Sequence, residues 1–156
     1  MTTRIKGYLF VATQFAILGV IVVAPAGDLP WHGNPWTEFV GQLLFLAGLS
    51  FVVWSGVVLG RSLTAHPEPT AKSELRTTGP YAVARHPIYS GLISLAVGAA
   101  FAGASWLHIL AAAALTVTLW SKSRFEESLL VESYGDEYLA YARVVGRFSP
   151  WFDRHQ

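Results

Sequence analysis

The chain has 156 residues, of which 53% are hydrophobic and only 13% are charged, and its formal net charge is +1. Soluble domains carry about 25% charged residues, so this composition favours a single integral membrane domain over residues 1–156. The near-neutral charge gives no support for nucleic-acid binding, and the absence of cysteine excludes disulfides, thiolate metal sites and thiol nucleophiles.

The first two predicted elements are uncharged stretches long enough to cross a membrane. Residues 7–27 and 39–60 contain no Lys, Arg, Asp or Glu, and a helical span needs about 20 largely apolar residues. We therefore predict membrane helices over about 7–26 and 38–60. The first is longer than the core of a usual cleaved signal sequence, so we expect it to be retained.

Small residues in the second predicted span indicate how it packs. Glycine lets two membrane helices approach closely, so we expect these positions to contact other helices rather than a ligand. They are Gly41, Gly48, Gly56 and Gly60. The polar segment that follows contains Pro67, Pro69, Gly79 and Pro80, which break long helices, and we expect it to fold over one end of the bundle.

The longest uncharged stretch, residues 86–121, has 36 residues and lies between two polar clusters. Its length predicts two short spans, about 87–103 and 105–121, folded as a hairpin with its turn at Gly103-Ala104-Ser105. A hairpin returns both of its ends to the same membrane face. The Arg-His pair before it and the Glu-Glu pair after it are therefore expected to meet there.

These two polar clusters are Arg85-His86 and Glu126-Glu127. Pro87 suits the first turn of a helix and biases His86 away from helical geometry. Each cluster also has a simpler explanation: the first as a snorkelling arginine with an interfacial histidine, the second as helix-surface salt bridges to Lys122 and Arg124. Their convergence above one hairpin favours a polar site.

The C-terminal part is predicted to be helical. The fourth span is expected to continue as a helix to Gly135, and Asp136 is expected to cap a short helix from Glu137 to Val145 that ends at Gly146. The predicted fold class is thus an all-α integral membrane protein with four transmembrane helices and a cytoplasmic helical tail.

The distribution of cations predicts the orientation. All eleven Lys and Arg lie near the N-terminus, in residues 61–85 or after Ser121, and the loop from Asp28 to Glu38 has none. The positive-inside rule then predicts a multi-pass protein of the cell (inner) membrane with both termini in the cytoplasm. Three tryptophans fall near the opposite interface: Trp31, Trp36 and Trp106.

The remaining histidines give no metal site. His32 and His66 lack a second ligand at metal spacing. His108 lies near the outer end of the fourth span, where we expect it to reach interfacial water.

Five short motifs between residues 75 and 151 form an ordered set. They are Gly79-Pro80-Tyr81, Arg85-His86-Pro87-Ile88-Tyr89-Ser90-Gly91, Glu126-Glu127, Tyr134-Gly135-Asp136-Glu137-Tyr138-Leu139-Ala140-Tyr141 and Arg147-Phe148-Ser149-Pro150. As a set, covering about half of the chain, they resemble the isoprenylcysteine carboxyl methyltransferase (ICMT) family and its relatives, the phospholipid methyltransferases.

This resemblance implies S-adenosyl-L-methionine as methyl donor, bound on the cytoplasmic side by elements in 61–86 and 122–156. It also implies a lipophilic small-molecule or lipid-like acceptor, and membrane lipids as the surroundings of the site. By resemblance, the cofactor-binding residues are Tyr81, Arg85, His86, Tyr89, Gly91, Glu126 and Glu127. The catalytic residues that it implies are Glu127 and Arg147. Arg147 would orient an anionic acceptor.

The chemistry of this cofactor suits the motif residues. A carboxylate suits the ammonium or ribose hydroxyls of the cofactor, and Arg or His suits its carboxylate. The ring faces of Tyr81, Tyr89 or Trp120 suit its sulfonium. We expect the acceptor to enter from the inner leaflet through a hydrophobic side opening beside Arg147. Its nucleophile can be a carboxylate oxygen, an amine nitrogen or a thiol sulfur. Methylation of a carboxylate would give a carboxyl methyl ester.

Two alternatives stand beside methyl transfer. The bare motifs also resemble the C-terminal part of NADPH-linked sterol reductases, but those enzymes have many more spans and usually carry Asn where this chain has Ile88. The other alternative is a non-catalytic membrane module that binds lipid or assists assembly.

Overall fold

A computed structural model of the chain describes residues 3–60 and 75–150. Within these ranges the chain is helical and contains no β-strand element. The α-helices are α1 (Thr3–Val23), α2 (Pro35–Leu59), α3 (Pro87–Gly103), α4 (Trp106–Tyr134) and α5 (Asp136–Val144), and a 3-10 helix covers Gly79–Ala82. The predictions made for residues 61–74, which include His66, Pro67 and Pro69, and for residues 151–156 lie outside the described residues.

The predicted hairpin is present, and its turn lies where the small residues indicated. Ala104 follows α3 with φ of 41°, in the left-handed region, and the side chain of Ser105 caps α4 by accepting a hydrogen bond from the backbone N–H of Leu107 at 3.3 Å. His86 precedes α3 with non-helical backbone angles, φ −121° and ψ 64°, as the following proline requires. Proline thus fixes the point at which the third helix begins.

The boundary between α4 and α5 differs slightly from the prediction. Gly135, not Asp136, is the cap residue, and α5 covers Asp136–Val144 rather than Glu137 to Val145. Gly135 has φ of 53° and ψ of −127°, a conformation that glycine adopts without a Cβ clash. One glycine therefore ends α4 and begins α5, with no separate loop.

Two helices in the described ranges, α1 and α2, are long and apolar enough to cross a membrane, and α3 is apolar but has only 17 residues. Most of the large apolar side chains of α1 and α2 are exposed. Their buried residues are instead small or uncharged polar: Gly7 and Gln14 in α1, and Gly41, Gly48 and Ser55 in α2. This inversion is typical of helices whose outer surface meets lipid.

The helices form a bundle in which α2 packs on α3, α3 on α4, and α4 on α1. The α2–α3 contact is the closest, because glycines face each other across it. A Cβ built on Gly48 would lie 2.6 Å from the carbonyl oxygen of Gly91, and one built on Gly98 would lie 2.6 Å from that of Gly41. The packing prediction is confirmed for Gly41 and Gly48.

The packing prediction was wrong for the other two glycines of the second span. Among residues 3–60 and 75–150, a Cβ on Gly56 or on Gly60 would meet nothing within 4 Å. Both residues lie toward the end of α2, away from the stretch where the glycines of α3 oppose it.

The bundle has two chemically different ends. At one end, the backbone N–H groups of Gly27 and Leu29 donate to the carbonyls of Gly103 and Ala104, so the segment after α1 is tied to the hairpin turn. The exposed tryptophans Trp36 and Trp106 start α2 and α4 at this end. At the other end, α4 continues beyond the bundle, and α5 packs against this extension of α4. The cluster that makes this contact consists of Tyr138, Tyr141, Ala142 and Val145.

Candidate functional site

The candidate site lies at the end of the bundle where α3 begins and α4 continues. The chain after α5 returns to this point and pairs with the residues before α3. The N–H groups of Arg85 and His86 donate to the carbonyls of Gly146 and Arg147 at 2.9 and 3.0 Å. The hydroxyl of Ser90 donates to the carbonyl of Phe148 at 2.8 Å. Three separate parts of the sequence therefore meet at one place.

Glu127 is the centre of this meeting point, and its side chain is only 5% exposed. Its carboxylate accepts hydrogen bonds from Nε of Arg85 at 2.9 Å, and from Nε and Nη2 of Arg147 at 3.1 and 2.7 Å. Nε2 of His86 lies 3.3 Å from Oε1 of the same carboxylate, without aligned hydrogen-bond geometry. Glu127 thus joins α4 to the start of α3 and to the tail.

The charge state of Glu127 follows from these neighbours. Burial alone would raise the pKa of the Glu127 carboxyl, but His86, Arg147 and Arg85 outweigh burial and hold this pKa well below its usual range. Arg85 is itself fixed, because its Nη1 also donates to the carbonyls of Ala142 and Val145 at 3.0 and 2.6 Å. Glu127 is therefore an ionised carboxylate within a rigid set of donors.

Glu126 points to a different environment, and its side chain is 18% exposed. It accepts a hydrogen bond from the hydroxyl of Tyr89, with oxygen distances of 2.8 and 2.7 Å. Nδ1 of His86 lies 3.7 Å away, and the imidazole of His86 is stacked on the Tyr89 ring with centroids 5.2 Å apart. Glu126 is thus the more accessible of the two carboxylates.

Tyr81 completes this side of the cluster. Burial, and then the negative charge of Glu126, raise the pKa of Tyr81 to about 12, so its phenol is neutral at physiological pH. The Tyr81 carbonyl accepts a hydrogen bond from the hydroxyl of Tyr141 at 2.6 Å, which links the 3-10 helix to α5. Tyr141 belongs to the tyrosine-rich tail motif, and its contact gives that motif a physical role.

The structure adds two residues that the sequence analysis did not place in a site. Lys122 is only 8% exposed, and its ammonium lies 3.8 Å from Glu126 and 5.0 Å from the centroid of the Tyr89 ring. Lys122 also donates to Oε1 of Gln14 at 3.3 Å. The sequence signal that could have identified Gln14 is a polar side chain within an uncharged span.

The helix-surface explanation of the Glu-Glu pair does not fit these contacts. Lys122 does lie near Glu126, but in a buried position rather than on a solvated face. Arg124 has its guanidinium 4.9 Å from the Trp120 ring, whereas the carboxylate of Glu127 is held by Arg85 and Arg147.

Gly91 is placed differently from the other motif residues. It is buried, and a Cβ built on it would lie 2.6 Å from Val52 and 2.7 Å from the carbonyl of Gly48. The structure therefore gives Gly91 a role in the close packing of α3 on α2, and its contact with the cofactor stays a prediction.

A second polar residue, His108, was also expected elsewhere. It is only 6% exposed rather than directed into interfacial water. It lines a groove of about 560 Å³ at the end of the bundle opposite Arg147. This groove is therefore not the side opening expected beside Arg147.

Comparison with known proteins identifies the relatives of the chain. A family model described as "Phospholipid methyltransferase" matches residues 36–137. Two rice proteins, from Oryza sativa subsp. indica and subsp. japonica, are each 31% identical over 126 residues and are named "Probable protein-S-isoprenylcysteine O-methyltransferase". "Methanethiol S-methyltransferase 1" of Bradyrhizobium diazoefficiens is 37% identical over 71 residues, which is 46% of this chain and 24% of that protein.

A solved structure shows the same fold. The eukaryotic intramembrane Ras methyltransferase ICMT (isoprenylcysteine carboxyl methyltransferase) superposes with a TM-score of 0.65 at 19% identity, over 99% of this chain and 53% of that one. The rice matches cover 76% of this chain but 63% of the rice proteins. The chain thus spans less than two thirds of the length of these relatives.

Proposed function

The chain belongs to the phospholipid methyltransferase family, and on that premise we propose that it methylates a lipophilic acceptor with S-adenosyl-L-methionine at the cytoplasmic membrane face. The observation that carries this proposal is the polar cluster at one end of the bundle. In it, the start of α3, the extension of α4 and the returning tail contribute charged side chains to one site.

The two carboxylates are proposed to have different roles. Glu126 is partly exposed and adjoins two aromatic rings, so it suits the ammonium or ribose hydroxyls of the cofactor. Glu127 is enclosed by two guanidinium groups, so its role is to hold Arg85 and Arg147 in place. His86 lies between the two carboxylates and is proposed to contact the cofactor together with Tyr81 and Tyr89.

When bound, the cofactor supplies a methyl group on a cationic sulfur, and transfer of that group is an in-line displacement. Such a reaction needs little acid–base help, so the chain's own contribution is orientation of the reactants and exclusion of water. Rigid side chains serve this purpose. The hydrogen bonds of Arg85 to the tail and to Glu127 fix one wall of the site before any ligand arrives.

The acceptor is proposed to be lipophilic and to approach from the inner leaflet beside Arg147. Arg147 lies at this end of the bundle, where its Nε and Nη2 donate to the carboxylate of Glu127. We propose that Arg147 orients an anionic acceptor group. The relatives include proteins named as an O-methyltransferase and as an S-methyltransferase. The proposed acceptor atom of the methyl group is accordingly an oxygen or a sulfur.

We further propose that the chain crosses the membrane four times within a single domain, with α3 and the first part of α4 as the short hairpin. The apolar stretch of that hairpin carries no charge from residue 86 to 121. The polar cluster then lies on the cytoplasmic side of the inner membrane, where the positive-inside rule places the Lys and Arg residues of the chain.

The proposal is tested by calorimetric binding of S-adenosyl-L-methionine, S-adenosylhomocysteine and NADPH to purified protein in detergent. We expect saturable binding of both adenosyl ligands and no binding of NADPH. Binding of NADPH alone would support the reductase alternative. Binding of none of the three would leave the non-catalytic membrane module as the better hypothesis.

A further inference from the structure

The groove at the opposite end of the bundle is separate from the proposed active site. It opens between the segment after α1 and the first part of α2, and its floor is formed by α3. Gly98 is the groove residue of α3 nearest to the start of that helix, and it lies about 16 Å along the helix from Pro87, which is about half the thickness of the bilayer core.

The groove exists because small residues form its floor. Gly98, Ala99, Ala102 and Gly103 of α3 line it and leave unfilled the space that larger side chains would occupy. α1 packs on α4 and α2 packs on α3, so no helix of the described bundle covers the groove from above. Its volume of about 560 Å³ lies in the range of small-molecule binding sites, roughly 300–1,000 Å³.

Two polar side chains interrupt this apolar lining. Gln42 is exposed on the α2 wall, and His108 is buried at the start of α4. Nδ1 of His108 has no hydrogen-bond partner in the part of the chain that the structure describes. The ring packs against Gly103, since a Cβ built on that glycine would lie 2.6 Å from both Cε1 and Nδ1 of His108.

An imidazole without a partner indicates what the missing partner must provide. Buried polar groups in proteins are nearly always hydrogen-bonded, and a histidine inside a membrane region is a functional hint by default. A neutral imidazole has one donor and one acceptor nitrogen, and a hydroxyl satisfies either one. The described residues that line the groove include no Asp, Glu, Lys or Arg, so their electrostatics favour a neutral head group over a carboxylate or a phosphate.

We propose that this groove binds one single-chain neutral lipid alcohol, whose hydrocarbon chain lies on the α3 floor and whose hydroxyl bonds to His108. This site is distinct from the proposed methyl-transfer site and does not depend on that function. Its occupant would join the segment after α1 to α2, α3 and the start of α4, at the end of the bundle away from the polar cluster.

Native mass spectrometry of the detergent-solubilised chain tests this site with hexadecan-1-ol as the probe. Two comparators have chains of the same length. Hexadecane has no hydroxyl, and hexadecanoate carries a negative charge. We expect the chain to retain one hexadecanol molecule and to bind either comparator at least fivefold more weakly. His108→Leu should weaken hexadecanol binding roughly fivefold, the worth of one neutral hydrogen bond.

A groove-filling variant keeps the test sharp if His108→Leu fails to fold. Ala102→Phe places a ring in the groove from an exposed position on α3 and should abolish retention. The matched control is Ala113→Phe, the same substitution at an exposed α4 position that does not line the groove. Equal retention of hexadecane and hexadecanol, or equal retention in the two Phe variants, would overturn the proposal.

Discussion

Two adjacent carboxylates in this chain have opposite environments, and the difference follows from helix geometry. Neighbouring residues of an α-helix point about 100° apart. Glu127 therefore faces inward, where two guanidinium groups enclose it, while Glu126 faces a tyrosine hydroxyl and remains partly exposed. A ligand ammonium can reach Glu126 without displacing an arginine, whereas Glu127 is already engaged by two cations.

This difference predicts which carboxylate governs cofactor binding. Glu126→Gln keeps the size of the side chain and removes its charge. We expect it to weaken binding of S-adenosylhomocysteine by about 1.5–3 kcal/mol, the usual worth of a hydrogen bond to a charged group. Calorimetry measures this change, with Glu132→Gln as control because Glu132 is exposed on the same helix. Unchanged affinity in Glu126→Gln would remove Glu126 from the proposed site.

Glu127 should instead govern stability. Glu127→Gln removes the carboxylate counter-charge of two buried guanidinium groups. Breaking a buried ion pair in this way costs about 3–5 kcal/mol. We expect a clearly lower unfolding temperature for Glu127→Gln in detergent, and little change for Glu132→Gln. A Glu127→Gln variant as stable as the parent chain would show that the cluster does not hold the tail to the bundle.

The lowered pKa of Glu127 also predicts a pH dependence. A carboxyl with a depressed folded-state pKa stabilises the fold above its unfolded pKa of about 4.3, and this stabilisation is lost as pH falls through the folded value. The parent chain should therefore lose stability progressively below about pH 4.3. Thermal unfolding across this range should show a shallower dependence in Glu127→Gln. Parallel pH profiles for the two proteins would contradict this assignment.

At the scale of elements, sequence reasoning located α3 well because a proline and a run of small residues mark its ends. The bounds of α1 differ from the predicted span of about 7–26, because the helix begins at Thr3 and continues through Arg4 and Lys6. The turn at Ala104 and the start of α3 at Pro87 follow from small residues and from proline chemistry. Packing partners were harder to predict. The uncharged runs do not indicate that Gly48 opposes Gly91, or that Lys122 is buried against Gln14, because those pairings depend on how the helices pack side by side.

The α2–α3 contact gives a matched pair of substitutions on one helix. A Cβ at Gly48 would meet backbone atoms at 2.6 and 2.8 Å, which cannot move aside as a flexible side chain would. Gly48→Ala should therefore force the helices apart and cost about 1–3 kcal/mol. Gly56→Ala meets nothing within 4 Å, and replacing glycine within a helix favours folding by up to about 1 kcal/mol. Thermal unfolding of both variants tests this contrast, which would fail if the two lost stability equally.

At the scale of the whole molecule, the two ends of the bundle divide the chemistry between them. One end carries the polar cluster, with Arg85, Lys122 and Arg147. The other carries exposed tryptophans and a loop without Lys or Arg. The distribution of charge along the sequence was sufficient to predict this division. The identity of the residues within the cluster required the motif resemblance, and their division of roles required the contacts.

This division predicts a topology that chemical labelling can measure. The chain contains no cysteine, so a single cysteine introduced at Gly33 or after Gln156 is the one reactive thiol in each variant. If four helices cross the inner membrane, a membrane-impermeant maleimide added to intact cells should label the cysteine at position 33 and leave the one after Gln156 unlabelled. Permeabilised cells should show labelling of both, which controls for thiol reactivity.

Labelling after Gln156 in intact cells would place the C-terminus outside, and with it the polar cluster that α4 and the tail build. An intracellular methyl donor could not reach such a site, so this result would contradict the four-helix topology and the proposed function together.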